Sequence, residues 1–406
     1  MQSPHLPRVL LAFLLPLLPL VPPAAMSAPA SPSPLARQFQ PLLTEHLVAG
    51  AVALVGSQDR ILDVEAMGYA DLATRRPMRP DTLFWIASMS KAFTGTAVMM
   101  LVDEGKLRLD DPVEKYLPAF KDQLLVVERD QDRTVLRRPA QPITIRDLLT
   151  HTSGIVHRTP LEDRIDRLPL DENVMIYPLT PLEFPRGARY SYSNAGINTA
   201  GRIVELASGL SFADFLQQRL FGPLGMKDTT FWPDAEQVGR LAKSYEPGPG
   251  PTGLREVPID QLSYPLSDPR RGVSPAGGLF STAGDVYLFC RMIGQGGSCG
   301  GRHYLSSALV DEMTANQIGD LRIAPGNSLD YGYGLGWLTR RKVEHANEPV
   351  NLGTFGAGGA YNTNMWINRP RNLITVWMVQ QVNYPDEQRS WVRNTLMKAA
   401  VAAYGQ

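Results

Sequence analysis

The stretch Ala97-Val-Met-Met-Leu-Val102 constrains this chain more than any other. It continues a helical pattern that opens near Ser88 and runs to about Asp103, and it is apolar on nearly every side. A helix without a polar face has no solvent side, so the rest of the chain must enclose it. With 406 residues the chain can do so as one large domain or two of ordinary size. Its 44% hydrophobic and 20% charged residues exclude a disordered chain. The 40 basic side chains balance 40 acidic ones, and the 32 Arg against eight Lys read as codon bias. Without surplus cations to displace counterions, no nucleic-acid partner is expected.

The material for that enclosure comes from both ends of the sequence. Val48–Val55 and Ile61–Met67, separated by Gly56-Ser-Gln-Asp-Arg60, predict a hairpin. Thr363–Ile367 and Leu373–Val379, joined by Asn368-Arg-Pro-Arg-Asn372, predict a second. The last of these strands is apolar on both faces and belongs in the middle of a covered sheet. Glu387 to Tyr404 has a helical period. Between the hairpins lie helical stretches at Ile145–Leu149, Asn194–Ser208 and Phe212–Leu220, then a Pro/Gly-rich run from Pro247 to Pro275. The expected fold is α/β (α+β): an antiparallel sheet built from both termini and flanked by helices, with an inserted, mostly helical lobe. The sheet lobe would span about 36–115 and 274–404, and the helical lobe about 116–273.

Residues 1–30 are a different kind of sequence. His5 and Arg8 precede the apolar run Val9–Val21, and small residues follow to Ala30, the pattern of a signal peptide. The run is short and Pro-rich for a bilayer span, and nothing later is long and apolar enough. The expectation is an exported protein, periplasmic or secreted, without a stable membrane span once the leader is removed. An oxidising location favours a disulfide between Cys290 and Cys299, with two free thiols as the alternative.

Three segments carry chemistry. In Ile86-Ala-Ser-Met-Ser-Lys91, Ser88 and Lys91 lie three apart at the start of the apolar helix, on one face. A Ser there receives the helix dipole and free N–H groups, and a desolvated Lys beside it can be neutral enough to take its proton. Chance alone also supplies such a pair, with Ser88 as a helix cap and Lys91 solvated. In Tyr190-Ser-Tyr-Ser-Asn-Ala-Gly196, Tyr192 can relay a proton and Asn194 can orient a carbonyl or a Lys. Their structural alternative is packing for Tyr192 and an N-cap for Asn194. In Gly353-Thr-Phe-Gly-Ala-Gly-Gly-Ala-Tyr361 the glycines allow close backbone approach and an N–H for an oxyanion, or merely an edge-strand bend. His151 reads as a turn residue. Asp110, Asp111 and Asp330 lack partners at metal-ligand spacing, and no phosphate loop or dinucleotide fingerprint appears.

In this order the segments resemble the serine β-lactamase-like superfamily of class C β-lactamases, D-Ala-D-Ala carboxypeptidases and β-lactamase-like esterases, from about residue 36 to 404. Ser88-Met-Ser-Lys91 matches S-x-x-K and Tyr192-Ser-Asn194 matches Y-x-N. Leu148–Gly154, Pro223–Thr229 and Pro275–Asp285 are similar to further stretches of that family. The resemblance implies Ser88 as nucleophile, Lys91 and Tyr192 as proton carriers, and Asn194 as a positioning group. It also implies the N–H groups of Ser88 and Ala360 as oxyanion donors, and no cofactor. The family's third motif usually begins with Lys or His, whereas here it is Ala357-Gly358-Gly359. Loss of that contact should weaken carboxylate-bearing substrates by about 1.5–3 kcal/mol. The expectation is therefore an esterase-like serine hydrolase acting on a small ester, amide or peptide-like substrate. The alternatives are a weakly catalytic penicillin- or peptidoglycan-binding sensor, or a true β-lactamase or carboxypeptidase. An acyltransferase would use the same residues, and the oligomeric state is left open.

Overall fold

Alternating apolar residues at the two ends of the chain close into one sheet. The computed structural model describes residues 34–159, 162–249, 253–323, 331–341, 353–383 and 386–405, and the expected leader and Asp330 lie outside them. The sheet comprises β1 (Gly50–Gly56), β2 (Ile61–Asp71), β3 (Arg76–Pro77), β4 (Tyr331–Tyr333), β5 (Leu338–Arg340), β6 (Thr354–Gly358), β7 (Asn364–Asn368) and β8 (Leu373–Met378). Its order is β4-β5-β6-β7-β8-β1-β2-β3, antiparallel throughout. The first and last strands are neighbours, with Val52 opposite Met378 and Leu54 opposite Val376.

Five helices matter to the site and its support: α1 (Pro34–Thr44), α2 (Ser90–Asp103), α3 (Asn194–Ser208), α4 (Ala283–Gly294) and α5 (Asp386–Tyr404). The period of two along β1 and β8 sends Val52, Leu54, Ile374, Val376 and Met378 into the main core, with α4 against the sheet there. Ala51, Ala53, Val55, Leu373 and Trp377 face the other way, onto Leu35 and Phe39 of α1 and Leu396 and Ala400 of α5. Each large side chain so buried contributes about 1.5–3 kcal/mol. A strand apolar on both faces is thus covered on both, as its composition requires.

α2 is buried from Ser90 through Leu101. It packs against α3 of the inserted helical lobe and, at Gly95, against the turn between β4 and β5. A side-chain carbon at Gly95 would lie 2.1 Å from the Leu335 carbonyl oxygen, so no other residue permits that approach.

Several local expectations need correction. The glycine-rich stretch, for which an edge bend was the alternative, is strand β6, paired by β7 from Thr354 to Gly358 and by β5 at Phe355 and Gly356. Short hairpins at Leu125–Arg129 with Thr134–Arg137, and at Ser244–Pro247 with Leu254–Val257, lie where helices and loops were expected. Their charged, alternating residues bury too little to mark them as strands. Cys290 and Cys299 are free thiols, not a disulfide. Cys290 turns into the core, with its Sγ 3.4 Å from Met365 Sδ, while Cys299 lies half-buried on a short strand outside α4.

Candidate active site

Ser88 sits in a 3-10 turn, Ala87–Met89, that leads into α2. Ala87 has φ +45°, a left-handed conformation that costs of order 1–3 kcal/mol for a residue with a Cβ. Bonds on either side hold it there. The Ile86 N–H donates to the Leu279 carbonyl at 3.0 Å, Ser90 Oγ donates to the Ala87 carbonyl at 2.7 Å, and the Leu279 N–H donates to Ser90 Oγ at 3.2 Å. Ser90 is thereby committed to structure, and Ser88 is not.

Lys91, one turn further on, is 1% exposed. Its Nζ lies 3.1 Å from Ser88 Oγ, donates to the Ala276 carbonyl at 2.6 Å and stands 4.6 Å from the centroid of the Tyr192 ring. No carboxylate pairs with it among the described residues, and burial drives its pKa well below that of an ordinary lysine. The carbonyl it meets is fixed from two helices. Asn198 Oδ1 of α3 accepts the Ala276 N–H at 3.0 Å, and Thr94 Oγ1 of α2 donates to the Pro275 carbonyl at 2.8 Å.

Burial moves Tyr192 in the opposite sense, pushing its phenol well above the usual range, with a hydrogen bond to Ser88 acting against that shift. Beneath its ring lies His151, buried, with φ +60° and ring centroids 4.5 Å apart. The turn conformation expected of His151 is present, together with a second role as a prop. The Ser193 N–H donates to His151 Nδ1 at 3.1 Å, so the ring proton is on Nε2, which faces the Tyr333 hydroxyl at 3.1 Å. Burial foremost, then the neighbouring Lys91 and His157, keeps this imidazole neutral far below its ordinary pKa.

The N-cap of α3 is Ser193, one residue before the expected one: its Oγ accepts the Gly196 N–H at 2.9 Å. Asn194 is the first helical residue and hydrogen-bonds neither Lys91 nor Ser88 among the described residues. Its Nδ2 lies 3.5 Å from His157 Nε2, and its Oδ1 is buried without a partner.

The third segment reaches the site through backbone. Gly359 has no room for a Cβ, which would sit 2.4 Å from the Ile86 carbonyl oxygen and 2.3 Å from Thr363 Oγ1. Its N–H donates to the Thr363 carbonyl at 2.8 Å, and Thr363 Oγ1 donates to the Ile86 carbonyl at 3.3 Å. The chain after Gly358 is thus tied to the residue two before Ser88. Among the described residues, the N–H groups of Ser88 and Ala360 donate to nothing. Ala357 is buried in the main core, and no Arg or Lys side chain other than Lys91 hydrogen-bonds Ser88, Tyr192, Asn194 or residues 357–360 among the described residues.

Ser88, Lys91 and Tyr192 therefore meet, Ala357 to Ala360 adjoin the turn that carries Ser88, and Asn194 stands off. An uncharged amine beside a hydroxyl can take its proton, and unpaired N–H groups can hold an oxyanion. Sequence reasoning missed Ala276, Asn198, His157 and Tyr333. Asn198, four residues after Asn194 on the buried face of α3, could have been noticed as a polar group needing a partner. Ala276 acts through its carbonyl, which no side-chain motif reveals. Among the described residues, no group of three or more His, Cys, Asp or Glu could hold a metal ion.

The family model described as Beta-lactamase matches residues 35–397. Esterase EstB of Burkholderia gladioli is 31% identical over 366 residues, covering 82% of this chain and 86% of its own. Penicillin-binding protein 4 of Amycolatopsis lactamdurans is 33% identical over 302 residues, covering 74% and 73%. Among solved structures, EstCE1, a hydrolase with promiscuous acyltransferase activity, superposes with a TM-score of 0.74 at 22% identity, over 90% of this chain and 98% of its own.

Proposed function

The chain belongs to the beta-lactamase family, whose chemistry is that of serine hydrolases cleaving esters or amides, and from that premise we propose an exported esterase working through an acyl-enzyme on Ser88. One observation carries the reading: a buried Lys91 amine, its pKa driven well below that of an ordinary lysine by burial, 3.1 Å from Ser88 Oγ with the Tyr192 ring against it. The opposite pKa displacements of Lys91 and Tyr192 divide their labour. Lys91, poor in protons, takes the one on Ser88 as Oγ bonds to the substrate carbonyl carbon. Tyr192, which keeps its proton, passes it to the departing alkoxide, and Lys91 replenishes it. The oxyanion is held by the N–H groups of Ser88 and Ala360. Water then attacks the acyl carbon and frees Ser88. Asn194 contributes by orienting the acyl group. Export rests on the basic start and apolar run of residues 1–30.

Neutral esters are the favoured substrates because Ala357 offers no charge for a carboxylate, and the similarity to esterase EstB supports that preference. The similarity to a penicillin-binding protein keeps a binding role as the competitor. Retention of Ser88, Lys91, Tyr192 and Asn194 speaks against it, since a mere receptor needs no proton path.

A fluorophosphonate probe and a fluorescent penicillin, each followed by peptide mapping, test the reading. The phosphonate should mark Ser88, and Ser88→Ala should abolish both labelling and ester turnover with the fold intact. Lys91→Ala and Tyr192→Phe should each lose several orders of magnitude, and the double variant little more. An adduct on Ser90 or Ser153, or turnover surviving in Ser88→Ala, overturns the assignment.

A further inference from the structure

Behind the Ala276 carbonyl that receives Lys91, a row of buried polar groups runs into the inserted lobe and ends on a carboxylate. Asn198 Oδ1 accepts the Ala276 N–H at 3.0 Å, and Asn198 Nδ2 donates to the Tyr177 oxygen at 2.9 Å. The Tyr177 hydroxyl donates in turn to Glu162 Oε1 at 2.9 Å. All three side chains are buried. The Thr159 N–H, and Nδ2 of Asn173 in the short helix Leu170–Ile176, also donate to Glu162, at 3.0 and 3.1 Å. No Lys or Arg pairs with this carboxylate among the described residues.

The two ends of the row fix its direction. A backbone N–H can only donate, so Oδ1 is the end of Asn198 that faces Ala276. Nδ2 then meets Tyr177, whose oxygen must accept and whose proton must go to Glu162. A carboxylate can only accept, and three donors converge on this one. Every group therefore points its donor toward Glu162, an order in which each bond polarises the next. Tyr177 keeps the proton this requires: burial first, then the charge of Glu162, raise its phenol well above the usual range.

Building on the proposed acyl-enzyme, we propose that Glu162, acting through Tyr177 and Asn198, is a positioning residue for the base: it fixes the Ala276 carbonyl to which Lys91 donates, and so aims the amine at Ser88. One N–H committed to that carbonyl at 2.6 Å restricts rotation of the amine about its last bond, and Ser88 Oγ lies within reach at 3.1 Å. The titratable groups facing Lys91 are Ser88, Tyr192 and, behind Tyr192, the neutral His151. Those near Glu162 are Tyr177 and His157. Glu162 is thus the carboxylate that hydrogen bonds couple to the base.

Moving the carboxylate along the row tests this. Glu162→Gln leaves one of the three converging donors without an acceptor, and Tyr177→Phe cuts the row. Each should slow fluorophosphonate labelling of Ser88 about ten-fold, the worth of one hydrogen bond to a charged group, with KM for a short ester little changed. Asn198→Asp alone sets two carboxylates against one phenol proton and should be slow as well. Glu162→Gln with Asn198→Asp reverses the row with each bond remade: Tyr177 donates to Asp at 198 and accepts from Gln at 162. Asn173 Oδ1, buried without a partner, can then accept from the same Gln. At alkaline pH this double variant should label within about three-fold of the wild type, where independent losses would multiply. Its carboxylate stands one side chain nearer to Lys91, and an opposite charge favours the ammonium, so Lys91 should titrate higher than in the wild type. Carbon NMR of the eight lysines, labelled at Cε, reads this without turnover, and the acid limb of kcat/KM should move up with it. Multiplying losses, a Lys91 titration unmoved in the double variant, or wild-type labelling in Tyr177→Phe overturns the proposal. Labelling that survives in Ser88→Ala would instead overturn the acyl-enzyme reading and leave the lysine titration standing.

Discussion

Lys91 is held against its own preference for water. Its folded pKa lies well below its value in the unfolded chain, so keeping it buried is free of cost above about pH 10.5 and increasingly destabilising as pH falls toward the folded value. Lys91→Met keeps the length of the side chain and forfeits the hydrogen bonds to the Ala276 carbonyl and Ser88 Oγ and the contact with the Tyr192 ring. The variant should be inactive yet melt higher, by about 0.5–2 kcal/mol in stability, with a larger margin at pH 7 than at pH 10. Differential scanning calorimetry at the two pH values checks this, and a lower melting temperature at pH 7 would show the amine to be welcome there. Ala357 tests the missing charge. Ala357→His should raise kcat/KM for a cephalosporin about ten-fold or more relative to a short neutral ester. Because the position lies in the core, it should also lower the melting temperature. A wild type that already prefers the cephalosporin would refute the argument. At this scale Ser88, Lys91 and Tyr192 were legible in the sequence because their spacing survives folding. Asn194 was half legible: the residue is there, but the residue it meets, His157, comes from a loop far away in sequence and carries no pattern.

Elements were legible where burial is periodic. The predicted bounds of α3 are the observed ones because its apolar stripe, its Ser193 cap and Gly209 at its end all agree. β8 was found from its apolarity alone. What escaped were elements defined by partners: β4 and β5, three residues each, exist because α2 presents Gly95 to the turn between them. The end of β6 has the same character, since Gly359 is fixed by its fit against Ile86 and Thr363. Gly359→Ala must push the strand end away from the turn that carries Ser88. Turnover should fall at least 100-fold, a loss of about 2.7 kcal/mol or more in transition-state stabilisation, as when one oxyanion donor is removed. Phosphonate labelling of Ser88 in this variant should slow in parallel, while the midpoint of urea unfolding shifts far less. Equal losses in both would mean that Gly359 matters to the sheet and not to the oxyanion.

Across the whole molecule, the inserted lobe is fastened near the site by an ion pair away from water: Arg271 donates to Asp166 at 2.7 Å and to the carbonyls of Phe231 and Leu266, while Asp166 also accepts the Ser263 N–H. The segment that carries the Ala276 carbonyl to Lys91 begins just beyond Arg271. Removing the cation leaves a buried carboxylate without its partner, so Arg271→Met should cost about 3–5 kcal/mol. Replacing both members with Arg271→Met and Asp166→Leu should recover most of it, which chemical denaturation can measure. A pair worth less than 1 kcal/mol would mean that the loops around it are already held by other contacts. The sheet has a different kind of dependence. Its first strand lies between its second and its last, with Val52 and Leu54 waiting for Met378 and Val376. A ribosome delivers the chain in one direction, so the edge of β1 that faces β8 stays unpaired until Leu373–Met378 have been made. Closing a sheet between such distant partners is also slow. Nearly every nascent form of this protein is consequently an open one. For the exported enzyme proposed above, threaded through a narrow pore before it works, that order of assembly would keep it threadable until its last strand is made.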